Sequence, residues 1–169
     1  MPLFPTTSTQ LSQPATKHSL FSADLEVLSA QFRKAQARLE AAEVLSRNAE
    51  DLSCEMARHI AQLYPESVSN SKFLFTSVPE VKSHSFKDDI DVLLRLISYF
   101  LVAGNDYSSE SAPMSEMLKE ISQAAQNASS ISTDWYSESL QFLRKNHGLS
   151  GERAKEANDC IDQILAIFS

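Results

Sequence analysis

The stretch from Phe86 to Ala103, FKDDIDVLLRLISYFLVA, constrains the fold of this chain more than any other. It contains the densest run of apolar residues and neither Gly nor Pro, so it predicts a helix of about five turns, roughly 27 Å long. Its acidic residues gather at the start, where the unpaired N–H groups of a first helical turn stabilise negative charge. After them only Arg95 interrupts the apolar residues, which predicts a helix buried on most sides. The stretch is too short and too polar to span a bilayer, so we expect the central helix of a soluble, all-α domain.

The composition narrows the class of protein. A chain of 169 residues can form one domain with its own core, and its three glycines disfavour Gly-rich phosphate loops and β folds with many tight turns. The net charge of −7 disfavours nucleic acid as the main partner, because no basic surplus displaces counterions from phosphates. No basic segment precedes an apolar one at the N-terminus, so we expect no secretory signal and a cytosolic location. Cys54 and Cys160 lack metal-ligand spacing and are expected to be small buried hydrophobic residues in a reducing compartment.

A long helical pattern precedes the central helix. Apolar residues recur every three or four positions from Phe32 to Leu63, and Ser22 is a suitable N-cap for this pattern. Because the run is long for a compact domain, we expect it to divide into two helices. Tyr64-Pro65 is expected to end it, since the residue before a proline is pushed out of the α region.

The rest of the chain is read as an arm, a loop and further helices. Residues 1–19 contain three prolines and are predicted to form an irregular arm, so the folded domain is predicted to span residues 20–169. The serine-rich residues 66–85 predict a long loop. Further helices are predicted to begin at Pro113, Thr133 and Glu152, the last ending near Phe168. Roughly seven helices around one central helix indicate a globin-like arrangement rather than a simple four-helix bundle.

The C-terminal part carries motifs of a known family. Trp135-Tyr136 opens a helix, residues 146–151 read NHGLSG, and residues 156–158 read EAN with Ile161-Asp162 beyond. These residues resemble the C-terminal region of the phycobiliproteins, most closely the phycocyanin α type, and the resemblance extends over residues 20–169. It implies a globin-like phycobiliprotein domain with a long N-terminal helix pair and a buried central helix.

The resemblance also implies where a pigment would be attached, and this chain departs from the family there. In the family a cysteine opens the central helix and forms a thioether with a linear tetrapyrrole; here that position is Phe86. The family's neighbouring arginine, lysine and tyrosine pair fall on Asp88, Ser85 and Val92-Leu93. A thioether needs a thiol, and a carboxylate repels a bilin propionate, so we expect no covalent bilin. Neither Cys54 nor Cys160 is expected to replace the missing cysteine.

Three residues of the family's bilin pocket remain. The resemblance implies that Asp89 would accept hydrogen bonds from pyrrole nitrogens and that Trp135 and Tyr136 would flank the bilin. Each residue also has a structural interpretation, Asp89 as a first-turn carboxylate and the two aromatic residues as packing anchors. Only a tetrapyrrole bound without a covalent link, such as phycocyanobilin, would use these three.

Two functions of different classes follow from the resemblance. The first is a phycocyanin-α-like component of the light-harvesting phycobilisome that lacks covalent bilin and acts in antenna structure, assembly or regulation. The second is a chromoprotein or carrier that holds a tetrapyrrole non-covalently. The implied partners are a β-type subunit, contacted through the arm and first long helix, and linker proteins, with assembly into rings; self-pairing stays open. The implied location is the cytoplasmic or stromal face of the thylakoid membrane, without membrane insertion, in a cyanobacterium or plastid.

Other functions have weaker support in the sequence. His59 and His84 are candidates for an axial haem ligand, but a lone histidine on a helix or in a loop is usually solvated or hydrogen-bonded. His147 lies in the NHGLSG segment, and no nucleophile with a base at matching spacing accompanies it. We therefore expect neither a haem protein nor an enzyme.

Overall fold

The described part of the chain is helical. A computed structural model describes residues 16–65, 85–104, 133–166 and 168, together with the helical positions 120 and 123, and their side chains from Ser22 onward. The helices are α1 (Thr16–Arg47), α2 (Ala49–Leu63), α3 (Phe86–Ala103), α4 (Thr133–Asn146) and α5 (Gly151–Leu165). No strand occurs within these residues, and the predicted all-α class is confirmed. The predicted loop at 66–85, apart from Ser85, and most of the helix predicted from Pro113 lie outside the described residues.

Contacts divide the chain into two units, residues 1–33 and residues 34–169. In the first unit the structure describes residues 16–33, which belong to α1, and the side chains from Ser22 to Arg33 are exposed. In the second unit α2 packs against α3 and α4, and α5 packs against α3 and α4. The shared core contains side chains from all five helices, among them Ala41, Leu45, Met56, Ile60, Ile90, Leu94, Ile97, Leu140, Leu143, Ala157 and Ile161.

The first helix begins earlier than predicted. α1 starts at Thr16, so Ser22 lies inside a helix instead of capping one, and that prediction is wrong. Residues 16–19, which we assigned to the irregular arm, are helical, whereas residues 1–15 lie outside the described residues. No proline follows Pro14 until Pro65, so nothing in the sequence interrupts the helix at Ser22, and serine tolerates a helix interior at a small loss in propensity.

The long helical pattern divides and ends as predicted. Asn48 leaves helical geometry with φ −97° and ψ 9°, which separates α1 from α2. At the end of α2, Tyr64 has φ −130° and ψ 61°, outside the α region, as expected before Pro65. Asn48 and Tyr64 therefore fix the two ends of α2.

The central helix has the predicted bounds, and local contacts define both of its ends. Ser85 and Asp88 form a capping box: the Asp88 N–H donates to Ser85 Oγ at 3.4 Å, and the Ser85 N–H donates to Asp88 Oδ2 at 2.7 Å. At the other end Gly104 has φ 87°, a left-handed conformation that suits glycine. These contacts place Asp89 in the first turn of α3.

One face of α3 is more exposed than predicted. Val92, Tyr99 and Val102 have exposed fractions of 38%, 54% and 58%, and with Arg95 they form a stripe at helical spacing. The prediction of a helix buried on most sides is therefore wrong for this stripe. The central helix buries one broad face and presents the other, partly apolar, face outward.

The turn between α4 and α5 depends on a histidine. The Leu149 N–H donates to Nδ1 of His147 at 3.0 Å, so the ring proton lies on Nε2, which is 3.1 Å from the Asn158 side-chain oxygen. Arg144 reinforces this corner with two hydrogen bonds to Asp162, of 2.7 and 3.1 Å. Both ring nitrogens of His147 are therefore used in holding the turn.

The last helix is shorter than predicted. α5 ends at Leu165, and Phe168 lies beyond it but remains buried, with an exposed fraction of 7%. No described helix has the length and apolar character needed to cross a membrane.

Replacing Ser85 by alanine is expected to lower the free energy of unfolding by about 1 kcal/mol, because the capping box at the start of α3 is lost. Urea denaturation followed by circular dichroism measures the change. The matched control is Ser150→Ala, since Ser150 is the N-cap of α5 but its side chain makes no capping hydrogen bond. Equal losses in the two variants would contradict the assigned role of Ser85.

Candidate functional site

Asp89 and Tyr136 meet in the core. Asp89 lies in the first turn of α3 with no exposed surface, and Tyr136 lies in the first turn of α4 with an exposed fraction of 1%. The Tyr136 hydroxyl donates a short hydrogen bond to Asp89 Oδ2. A buried carboxylate needs such donors, because burial removes the water that would otherwise solvate it. Two of the three predicted pocket residues are thus in direct contact.

Phe86 lies against the other predicted aromatic residues. Its ring is 5.8 Å from that of Trp135 and 5.4 Å from that of Tyr136, both in edge-on geometry. Only 4% of Phe86 is exposed. Edge-on aromatic pairs each contribute about 0.5–1.5 kcal/mol beyond the burial of their area. Position 86 is therefore a packing position in this chain.

Two further rings complete an aromatic cluster. The ring of Tyr64 is 6.1 Å from that of Trp135, and the ring of Phe168 stacks on that of Tyr136 at 5.5 Å. The aromatic cluster consists of Tyr64, Phe86, Trp135, Tyr136 and Phe168. The sequence reasoning missed Tyr64 and Phe168 as members. For Phe168 a signal existed, since it follows Ile164 by four residues and continues the buried face of α5.

The other two residues at the altered attachment position serve the backbone. Ser85 and Asp88 form the capping box, and the Ser85 hydroxyl also lies 2.7 Å from Asp88 Oδ2. Asp88 is exposed at the first turn, where its charge is stabilised by the helix N-terminus. Its carboxylate is therefore engaged with the start of α3.

An ion pair connects the start of α3 to α2. Lys87 Nζ lies 2.9 Å from Glu50 Oε1, and this hydrogen bond raises the pKa of Lys87 above its usual value. A raised pKa means that the stabilisation is complete below the ordinary lysine pKa and is lost as the pH rises through the raised value. The pair is intact at neutral pH.

The remaining candidates do not join the aromatic cluster's contacts. His59 packs on Phe142 with ring centroids 4.7 Å apart, and His84 lies outside the described residues. Cys160 is buried as predicted, whereas Cys54 is only partly buried. Among the described residues, no three His, Cys, Asp or Glu side chains converge on a common metal position.

The arrangement favours packing over chemistry. A phenyl ring at residue 86 offers no nucleophile, and the Asp89 carboxylate accepts a hydrogen bond from Tyr136. The residues that the family uses to attach and orient a pigment are here connected to one another by ring contacts, a capping box and a buried hydrogen bond.

Replacing Tyr136 by phenylalanine removes one donor to a buried carboxylate and is expected to lower the free energy of unfolding by about 1–3 kcal/mol. The loss should be measured by urea denaturation. Tyr64→Phe is the matched control, because it deletes the hydroxyl of a partly exposed tyrosine in the same aromatic cluster. A loss no greater than that of the control would contradict a stabilising role for the bond to Asp89.

Comparison with known proteins places this site in a family. The sequence model of the family described as phycobilisome protein matches residues 14–167, which is most of the chain. The chain is 34% identical over 150 residues to the phycoerythrocyanin alpha chain of Nostoc sp. (strain PCC 7120 / SAG 25.82 / UTEX 2576), and the match covers 89% of each protein. Together with the all-helical fold, these matches mean that the chain belongs to the phycobilisome protein family.

Proposed function

We propose that this chain is a phycocyanin-α-like component of the light-harvesting phycobilisome that carries no covalent bilin. Its role is in antenna structure, assembly or regulation. The observation that carries the proposal is Phe86, buried and packed against Trp135 and Tyr136 at the position where the family attaches its pigment. The family match and the α-chain relative support the antenna assignment.

The chemistry of attachment supports a pigment-free chain. A thioether forms from a thiolate, and the side chain at residue 86 has no sulfur. The cation that would neutralise a bilin propionate is replaced by Asp88, whose carboxylate would repel it. Both changes oppose covalent attachment.

The packing around residue 86 also supports this proposal. An empty pocket would destabilise the fold, because its lining atoms lose contacts and the surrounding structure relaxes only partially. Here Phe86 supplies ring contacts to two of the residues that the resemblance assigns to the pocket, Trp135 and Tyr136. The side chain acts as a built-in filling of the site.

Assembly with a β-type subunit and with linker proteins follows from the family role, with association into rings. Exposed apolar side chains support such contacts: Leu39, Tyr99 and Val102 line an open groove of about 420 Å³ between α1 and α3. The location we propose is peripheral, at the cytoplasmic or stromal face of the thylakoid membrane. The role is non-catalytic, and the folded domain spans residues 20–169.

A non-covalent tetrapyrrole carrier is the alternative. It requires the Asp89 carboxylate to bind pyrrole nitrogens, but that carboxylate accepts a hydrogen bond from Tyr136 in the core. A ligand would have to replace this bond, so the geometry favours the pigment-free function.

The visible absorption spectrum tests the proposal directly. The protein is purified from a host that makes phycocyanobilin, and spectra are recorded in native buffer and in acidic urea. We expect no bilin absorption in either, because residue 86 has no thiol and its ring packs on the pocket residues. A phycocyanin α subunit with its attachment cysteine, produced in the same host, is the positive control.

Two outcomes would contradict the proposal in different ways. Absorption that stays with the polypeptide in acidic urea would mean covalent pigment. Native absorption that separates on denaturation, and that Asp89→Ala abolishes without loss of helicity, would mean the non-covalent carrier.

A further inference from the structure

Helix α1 carries an exposed apolar stripe with alternating spacings of three and four residues. Large side chains at Leu25, Leu28, Phe32 and Leu39 have exposed fractions of 53%, 49%, 75% and 53%. Ala35 completes the series between Phe32 and Leu39. This alternation is the heptad pattern of a seam at which two helices pack against each other.

The stripe is separate from the apolar face that α1 gives to the core. The buried residues of α1 are Ala37, Ala41, Ala42 and Leu45. Ala37, Ala41 and Leu45 follow one another at intervals of four and, at 100° per residue, point away from the side of the helix that carries Leu25, Leu28 and Phe32. α1 therefore has a second apolar face beyond what the core uses.

The charges beside the stripe favour a second copy of the same helix in the opposite direction. An antiparallel pair that sets Leu28 opposite Phe32 of the second copy also sets Leu25 opposite Ala35. In that register Asp24 lies beside Arg38 of the second copy, and two-fold symmetry repeats the contact. Both residues flank the seam, Asp24 being exposed and Arg38 partly exposed.

The same register brings no like charges together along the seam. The flanking positions that meet their own copies are Ser29 and Gln31, which are neutral. A parallel pair would instead set Asp24 beside Ser29 and leave it without a cation. Opposite charges fix the register and direction of helix pairs, so they select the antiparallel arrangement.

We propose that this chain forms a homodimer in which α1 packs antiparallel against α1 of a second copy, along Leu25, Leu28 and Phe32. The inference does not depend on the absence of pigment. It concerns the partner of α1, whereas the proposed function concerns the site around Phe86, and the two fail by different measurements.

Sedimentation velocity on the full chain over a range of micromolar concentrations tests the dimer. We expect a dimer for the parent and a dissociation constant raised by at least about tenfold for Leu28→Glu, because a charge is then buried in the seam. The matched control is Leu63→Glu on α2, since Leu63 is also an exposed leucine, at 48%, but lies outside the stripe. Circular dichroism verifies that both variants keep their helicity.

A charge exchange tests the direction of the pair. Asp24→Arg and Arg38→Asp should each weaken the dimer, about tenfold, because each places like charges together twice. The double variant restores opposite charges and should bring the dissociation constant back towards that of the parent.

Three results would overturn the homodimer. They are a parent chain that stays monomeric throughout, a dimer that Leu28→Glu does not weaken, and a double variant no tighter than either single variant. A chain that is monomeric alone and pairs through α1 only with a β-type subunit falls under the first, and it would leave the proposed function intact.

Discussion

The start of α3 depends on a carboxylate that has lost its water. Asp89 is fully buried, and the hydroxyl of Tyr136 takes over part of its solvation. Because the two residues lie in the first turns of α3 and α4, this single bond fixes the beginnings of both helices relative to each other. The rings of Phe86 and Trp135 then pack beside the bond and exclude solvent from it. Removing water strengthens the hydrogen bond and makes the loss of either partner more damaging.

The altered attachment site has become part of the framework. Ser85 and Asp88 organise the N-terminus of α3, and Phe86 faces inward between them to join the aromatic cluster. Three neighbouring positions thus perform local structural tasks that any helix entering a core requires. A phycobilisome protein that has taken this course keeps the helices and outer surfaces of its family while the pigment position serves stability.

Sequence reasoning was most successful where local chemistry decides the structure. The bounds of α3 were predictable because Ser85 and Gly104 are strong end signals around an uninterrupted apolar run. The start of α1 was not, because a serine has the same composition whether it caps a helix or lies inside one. The exposed stripe on α3 was missed for a related reason: Tyr99 and Val102 are apolar whether they face a core or an outer surface.

The site was predictable only as a set of residues. The resemblance supplied Asp89, Trp135 and Tyr136, but the bond between Asp89 and Tyr136 joins positions 47 residues apart, which no local pattern reports. Tyr64 and Phe168 entered the sequence reasoning as an end of one helix and a member of another, so their ring contacts emerged only from the packing.

The burial of Phe86 has an evolutionary consequence. A single reversion to cysteine would remove a ring from the core, and a large-to-small change of this kind destabilises a protein by about 3–5 kcal/mol. The restored thiol would still face Asp88, so the first step loses stability before any pigment is gained. The loss of the attachment residue therefore acts as a ratchet: the ancestral state is reached only through several changes made together.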